Sequence, residues 1–231
     1  MTNSLTGALV FDLDNTLYPA NCAFFAAVEE RMTGYVQALL KLERAAAFAL
    51  QKQYFLDYGT TLIGLMRHHR VDPHHFMDYV HDVDTGSIPE NPRLRRYLAA
   101  FEGPRVVFTN GSRRHAENIL AVLGLTDHID AIFDIHQADY RPKPDIQTYH
   151  AMLVACGVNP TQAVMFEDLP QNLAPAHALG METVLITPDG QGDDMIQKDY
   201  IHHVAACPGV WLEAYMDSLV SQRLEQFPLG R

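Results

Sequence analysis

Two aspartates, Asp12 and Asp14, close a short apolar run in the segment ALVFDLDNT, with Thr16 just behind them. Farther along, other apolar runs end in Thr109–Asn110–Gly111 and in Glu167–Asp168, the latter followed by Asn172, and Lys143 stands in the turn-rich stretch RPKPD. Brought together, these residues would form a cluster of three or four carboxylates, one lysine and one hydroxyl–amide pair. Carboxylates within a few ångströms of one another repel, and they stay ionised together only when a cation joins them. Oxygen donors with no His or Cys among them favour a hard ion, Mg²⁺ over Zn²⁺. Mg²⁺ often takes part of its shell from substrate phosphate, which points to phosphoryl chemistry. Aspartate is a competent nucleophile toward phosphorus. Lys143, held extended by the proline after it, suits the neutralisation of phosphoryl oxygens, and Thr109 with nearby backbone amides suits hydrogen bonding to them.

For these groups to meet, each must stand at the carboxyl end of a strand in one parallel sheet, where open α/β folds bind their ligands. The pattern supplies that arrangement. Residues 8–13, 105–109, 131–135, 163–166 and 183–187 are short, continuous apolar runs, and helical periodicity over 113–123, 145–156 and 170–179 separates the last four. Strand–helix alternation with fully apolar strands predicts a doubly wound α/β sheet covered on both faces. A further short strand is expected at 201–204, a closing helix at 210–219 and a frayed tail at 227–231.

Residues 20–85 break this alternation. Asn21 is the expected N-cap of a helix carrying Phe24, Phe25, Val28, Met32, Tyr35, Val36 and Leu39 at helical spacing. Helices follow at 43–58, 60–69 and 73–81, the last with Asp72 as N-cap and Pro73 at its first position. The turn-rich segment 84–92 then returns the chain to a helix at 93–101. The expected organisation is an α/β core of residues 1–19 and 88–231, interrupted by an all-helical cap of residues 20–87. Two crossings beside the end of the first strand would hinge the cap over a site placed there.

Composition narrows the partners. The 231 residues carry 17 Lys plus Arg against 28 Asp plus Glu, a net charge of −11, with 48% apolar residues. That balance suits a folded soluble protein and disfavours nucleic acid or an anionic membrane surface as partner. Cys22, Cys156 and Cys207 are far apart and odd in number, which reads as reduced thiols in a cytoplasmic protein. Residues 1–9 show no basic region before their apolar run, so no export leader is expected, and no apolar stretch of about 18 residues suggests a membrane span.

The ordered set Asp12-x-Asp14-x-Thr16, Thr109–Asn110, Lys143 and Glu167–Asp168…Asn172 resembles the haloacid dehalogenase-like hydrolases in their phosphatase branch. The resemblance covers nearly the whole chain, with the helical insert where that superfamily places a cap on its Rossmann-like core. It implies Asp12 as nucleophile and Mg²⁺ ligand. Asp14 would protonate the leaving oxygen, later activate water, and bind the metal through its backbone carbonyl. Thr109 and Asn110 would hold the phosphoryl group and Lys143 would balance charge. Asp168 would ligate Mg²⁺, with Glu167 reaching it directly or through water, and Thr16 and Asn172 would support the site. Asp14 disfavours the dehalogenase branch, whose chemistry needs neither metal nor an acid for an alkoxide.

Within that superfamily, FDLDNTLYP, YFLDYGTTLIGLMRHHRVD and YVHDVD resemble the pyrimidine 5′-nucleotidases, which implies a small-molecule substrate such as UMP or CMP acted on by a monomer or homodimer. Sugar-phosphate or phosphoglycolate phosphatases and phosphomutases on the same core are the enzymatic alternatives, and a non-catalytic phosphate-binding protein is the other. Tyr58, beside Gly59–Thr60–Thr61, is a substrate candidate, and Arg113 another at the start of its helix. Most other aromatics of the insert read as core. His81, Asp82 and Asp84 read as a solvated helix end slightly ahead of base recognition, and the pairs His68–His69, His74–His75 and His202–His203 read as surface.

Overall fold

The structure, a computed structural model, describes residues 7–190 and 198–226. The expected tail at 227–231 lies outside the described residues, as do residues 1–6, on which the expectation of no leader partly rests. Six strands form one sheet: β1 (Ala8–Phe11), β2 (Arg105–Phe108), β3 (Ala131–Phe133), β4 (Ala163–Glu167), β5 (Glu182–Ile186) and β6 (His203–Ala205), in the order β3-β2-β1-β4-β5-β6. Every neighbouring pair is parallel, with Val10 beside both Val106 and Met165. The first strand therefore lies at the centre, and the order reverses around its end, the point at which doubly wound sheets form a crevice.

The two faces follow from the alternation of side chains along each strand. Leu9, Phe11, Val107, Val164, Phe166 and Val184 enter one apolar layer with α5 (Pro92–Ala100), α6 (Arg113–Val122) and α9 (Pro208–Gln226). Ala8, Val10, Val106, Phe108, Met165 and Leu185 enter the other with α7 (Ile146–Cys156) and α8 (Pro170–Ala178). All of β1 is buried, which is why its sequence is continuously apolar rather than alternating.

The insert consists of α1 (Ala23–Leu40), α2 (Arg44–Tyr58), α3 (Thr61–His69) and α4 (Pro73–Val80). It has its own apolar cluster, including Tyr35, Val36, Tyr54, Leu62, Leu65, Phe76 and Val80. The first turns of α1 belong instead to the sheet's layer through Phe24 and Val28. Side-chain caps form at two of its four helix starts: Thr60 accepts from the Ile63 N–H and Asp72 from the His74 N–H, while Glu43 makes no side-chain cap at the start of α2. The start of α1 departs from the expectation. Cys22 rather than Asn21 precedes it and makes no side-chain cap, because the Cys22 N–H closes a turn onto the Pro19 carbonyl at 3.1 Å and shifts the helix start by one residue. The closing helix α9 runs beyond the expected 210–219 at both ends, with Pro208 at its first position, where a missing N–H costs nothing. Among the described residues, no helix is long and apolar enough to cross a membrane.

Phe166 stacks on Phe11 with ring centroids 4.9 Å apart and meets Trp211 of α9 edge-on at 5.3 Å. Replacing a large buried side chain costs both its transfer energy and the cavity left behind. Phe166→Ala is expected to lower unfolding free energy by about 3–5 kcal/mol in urea titrations, whereas Phe48→Ala, at an exposed position of α2, should stay within about 0.5 kcal/mol of wild type.

Candidate active site

The expected carboxylates and Thr109 stand at or just past the ends of strands. Asp12 follows β1, and its N–H donates to the Phe166 carbonyl on β4 at 2.9 Å, so the sheet ladder itself fixes its backbone. Thr109 follows β2 and is tied to β3 through the Phe133 carbonyl at 3.0 Å. Glu167 ends β4, and Asp168 is the next residue. Lys143 reaches the same place from the loop before α7. Its ammonium donates to Asp12 Oδ1 at 2.7 Å, to Glu167 Oε1 at 2.9 Å and to the Phe108 carbonyl at 2.9 Å, which uses all three of its protons. The side chain is fully buried, and a buried charge persists only when paired and hydrogen-bonded in this way.

The neighbours divide into supports and groups left free for a ligand. Asn110 grips the Lys143 backbone at both ends, accepting from its N–H at 2.8 Å and donating to its carbonyl at 3.3 Å. Asn172 donates to Glu167 Oε1 at 2.6 Å, and the Leu169 N–H donates to Glu167 Oε2 at 2.7 Å, so both oxygens of Glu167 are engaged. Thr109 Oγ1 accepts from the Gly111 N–H at 2.9 Å, which leaves its own proton to donate. Thr16 is buried, and its hydroxyl has no partner among the described residues.

Asp14 has partners that the sequence did not suggest. Its Oδ1 accepts from the Tyr18 hydroxyl at 2.6 Å and from His115 Nε2 at 2.8 Å. The His115 ring is stacked 3.8 Å from that of His81, at the end of α4. His81 is therefore not a solvated helix end. It packs between insert and core, and burial followed by the neighbouring His115 pushes its imidazole down to about 3. No motif flags His115, because its partner is distant in the chain and a histidine in the first turn of a helix is ordinary.

Asp12, Asp14, Thr109, Asn110, Lys143, Glu167, Asp168 and Asn172 face a cavity of about 350 Å³ roofed by the insert. Phe25, Met32, Phe55 and Phe76 give the roof apolar faces, and Glu29, Gln51, Lys52 and Thr60 give it polar ones, with Lys52 ion-paired to Glu29. Phe24 and Tyr54 are core, as expected of most of the insert's aromatics. Tyr58 does not line this cavity. Gly59, in the left-handed region at φ 81°, turns the chain there and approaches Lys143, while Tyr58 bonds His68 over a neighbouring depression. Arg113 is absent from the cavity as well. Its guanidinium runs back along β3 to the Ile132 carbonyl at 2.6 Å and to Gln137 at 3.1 Å. The three histidine pairs are mostly exposed.

The electrostatics separate the two aspartates. Burial pushes the Asp12 carboxyl up, Lys143 opposes this, and Glu167 and Asp14 reinforce it, leaving Asp12 at about 7. Burial, then Glu167 and Asp12, push Asp168 up to about 9. Burial also raises Asp14, but the charge and hydrogen bond of His115, with the Tyr18 hydroxyl, outweigh it and hold Asp14 at about 2. One ammonium thus faces more carboxylate than it can neutralise. Ligand oxygens of Asp12, Glu167 and Asp168 lie within 4.8 Å of one another, a donor set of hard oxygens that fits a divalent cation such as Mg²⁺.

Known proteins share this architecture. A family model described as haloacid dehalogenase-like hydrolase matches residues 6–180. Phosphate metabolism protein 8 of Saccharomyces cerevisiae is 23% identical over 212 residues, which cover 82% of this chain and 65% of the yeast protein, so the chain spans less than two thirds of that relative's length. The fructose-1-phosphate phosphatase YqaB of Escherichia coli is 27% identical over 188 residues, 76% of this chain and 94% of that protein. A haloacid dehalogenase-like family hydrolase from Xanthomonas campestris shares the fold with a TM-score of 0.58 at 15% identity, over 98% of this chain and 97% of that one.

The raised carboxyls couple stability to pH. An aspartate in the unfolded chain loses its proton near pH 4, whereas Asp12 and Asp168 hold theirs to about 7 and about 9. Between those limits the folded state binds more protons, so stability falls as pH rises. In the presence of a chelator, Asp168→Asn is expected to melt above wild type at pH 8.5, with the gap closing toward pH 4. Millimolar Mg²⁺ should raise the wild-type midpoint more at pH 8.5 than at pH 5. Thermal melts across that range check both, and a wild-type midpoint that climbs with pH in chelator would contradict the assignment.

Proposed function

The chain belongs to the haloacid dehalogenase-like hydrolases, and on that premise we propose that it is a Mg²⁺-dependent phosphomonoesterase working through an aspartyl-phosphate on Asp12. The observation that carries this reading is the division of labour between two aspartates two residues apart. Asp12 is bound to a buried lysine beside a surplus of carboxylate, and Asp14 is held separately by Tyr18 and His115. Separate partners give the two aspartates separate roles, Asp12 as nucleophile and Asp14 as acid–base group, and Asp14, which His115 and Tyr18 hold low, takes up the proton it donates as the anionic phosphate comes close.

In this mechanism the Asp12 carboxylate attacks phosphorus, the ester P–O bond breaks, and the leaving oxygen takes a proton from Asp14. Water then gives a proton to Asp14 and attacks the phosphorus of the acyl phosphate, which frees Asp12 and inorganic phosphate. Thr109, whose hydroxyl proton is free, and the backbone amides after it hold phosphoryl oxygens, and Lys143 offsets charge on Asp12. Asp12, Asp168 and the Asp14 carbonyl would hold the cation, which supplies neutralisation of the phosphoryl group when bound. Glu167, with both oxygens engaged, acts on that cation through water and through its charge. Thr16, buried beside the two aspartates, and Asn172, bonded to Glu167, are supporting groups.

As substrate we favour a pyrimidine nucleoside 5′-monophosphate, whose leaving group is the nucleoside. The sequence segments FDLDNTLYP, YFLDYGTTLIGLMRHHRVD and YVHDVD support this, as does a roof that sets Phe25 and Phe55 beside Gln51, Lys52 and Thr60. Such a surface suits a flat base with a hydrogen-bonding edge. A sugar phosphate is the second reading, supported by the activity named for the E. coli relative. Residues 20–87 form the cap in either case, and three unpaired cysteines suit a reducing, cytoplasmic compartment.

Phosphate release from p-nitrophenyl phosphate is expected with Mg²⁺ and is expected to vanish with chelator. Asp12→Asn should fall to background while its circular dichroism spectrum stays that of wild type. Across UMP, CMP, AMP, phosphoglycolate and hexose phosphates, kcat/KM should be highest for UMP and CMP. Equal cleavage of hexose phosphates would select the second reading, and substantial activity in Asp12→Asn would remove the covalent mechanism.

A further inference from the structure

Both hydrogen bonds that Asp14 accepts fall on the same oxygen. Tyr18 and His115 hold Oδ1, and among the described residues Oδ2 has no hydrogen-bond partner. Oδ2 lies toward Gly111, where a Cβ on that glycine would stand 3.9 Å away, in the wall of the cavity. An oxygen already accepting two hydrogen bonds is a poor place for a transferable proton. The proton that Asp14 gives and takes therefore belongs on Oδ2, and whatever fixes Oδ1 also aims Oδ2.

His115 is built to be that fixture. It stands in the first turn of α6, where Ser112 caps the helix and accepts from the His115 N–H at 3.3 Å. Its ring is buried and lies between two nearly parallel rings, His81 at 3.8 Å and Phe24 at 5.9 Å, which leave it little freedom to rotate. Phe24 and His81 are at opposite ends of the helical insert. Moreover, His74, Asp78 and His81 recur at positions i, i+4 and i+7, one stripe of a helix. Each meets a core residue: His136 by stacking at 4.7 Å, Arg114 by an ion pair at 3.2 Å, and His115 by stacking. The stripe is polar and aromatic, and Ile135 of the core, buried in the insert's apolar cluster, adds an apolar contact beside it.

We propose that His115 is a positioning residue that aims the free oxygen of Asp14 at the reacting ester, and that His81 of the insert holds the His115 ring in place. Seating of the insert and readiness of the acid–base group are then one event. This rests on the reading of Asp14 given above.

The test separates steps that need Asp14 from those that do not. p-Nitrophenolate leaves without being protonated, whereas the alkoxide of an alkyl phosphate such as UMP needs the acid, and hydrolysis of the acyl phosphate needs the base for both. His115→Leu is expected to lower kcat on the alkyl ester by about 10²-fold, in line with a misplaced acid–base group. On p-nitrophenyl phosphate it should give a stoichiometric burst of nitrophenolate at close to the wild-type rate, followed by slow turnover. Asp14→Asn should behave alike, Asp12→Asn should show no burst, and His115→Gln, which keeps a donor at similar reach, should recover most of the loss. His81→Ala, which leaves the hydrogen bond in place, should show the same burst pattern more weakly, and it carries the test if His115→Leu does not fold. Loss of burst and turnover by the same factor in the His115 and His81 variants would overturn the proposal, as would wild-type kinetics in them. A wild-type protein that releases phosphate from neither ester fails the reading of Asp14 instead.

Discussion

The Lys143 ammonium is the contact on which the site depends. It joins the end of β1 through Asp12, the end of β4 through Glu167 and the end of β2 through the Phe108 carbonyl, so one side chain ties together the three central strands of the sheet. A buried charge of this kind is stable only because every proton has an acceptor. It also explains the investment around it. Asn110 holds the lysine's backbone from both sides, and Asn172 and the Leu169 N–H hold the glutamate, so neither partner can drift away from the other.

That lysine does not balance the site. Burial pushes Asp12 and Asp168 up, and the group of Asp12, Glu167 and Asp168, still short of positive charge after Lys143 is counted, reinforces the shift. Two residues from Asp12, Asp14 is pulled down because its partners come from elsewhere: a tyrosine four residues on and a histidine in α6. A strand that ends between two differently charged surroundings can therefore present two aspartates with opposite tendencies, with no difference in the residues themselves.

What was legible in the sequence follows the same logic. Strands buried on both faces are continuously apolar, so β1, β2, β4 and β5 are visible as runs, and the groups that follow them are visible as strand-end chemistry. Helix starts with a side-chain cap, such as Asp72 and Thr60, are local and also visible. Contacts made by position in space are not. Tyr58 and Phe55 both sit on α2, yet Phe55 faces the cavity while Tyr58 lines the neighbouring depression, and the packing of α2 on the core decides this. Arg113 begins α6 beside the cavity loop, yet carbonyl and amide acceptors near β3 draw its side chain away. His115 is the clearest case, since its role depends on Asp14 from β1 and His81 from the insert, neither of which its local sequence can indicate.

The acidic balance of the chain acquires a different meaning once these contacts are known. A net charge of −11 repels anions at long range, yet the proposed substrate is an anion. The conflict resolves at short range, because carboxylates concentrated at one strand-end cluster create a need for a cation that a phosphate can share. The positive charge of Lys143 cannot meet that need, since all its protons are already engaged by Asp12, Glu167 and the Phe108 carbonyl. On the proposed function, an anionic ligand would be held by what the carboxylates recruit, and its affinity should follow the concentration of that cation more steeply than ionic strength. On the same reading, such a site would admit phosphate esters only together with the cation, which would link substrate entry to readiness for chemistry.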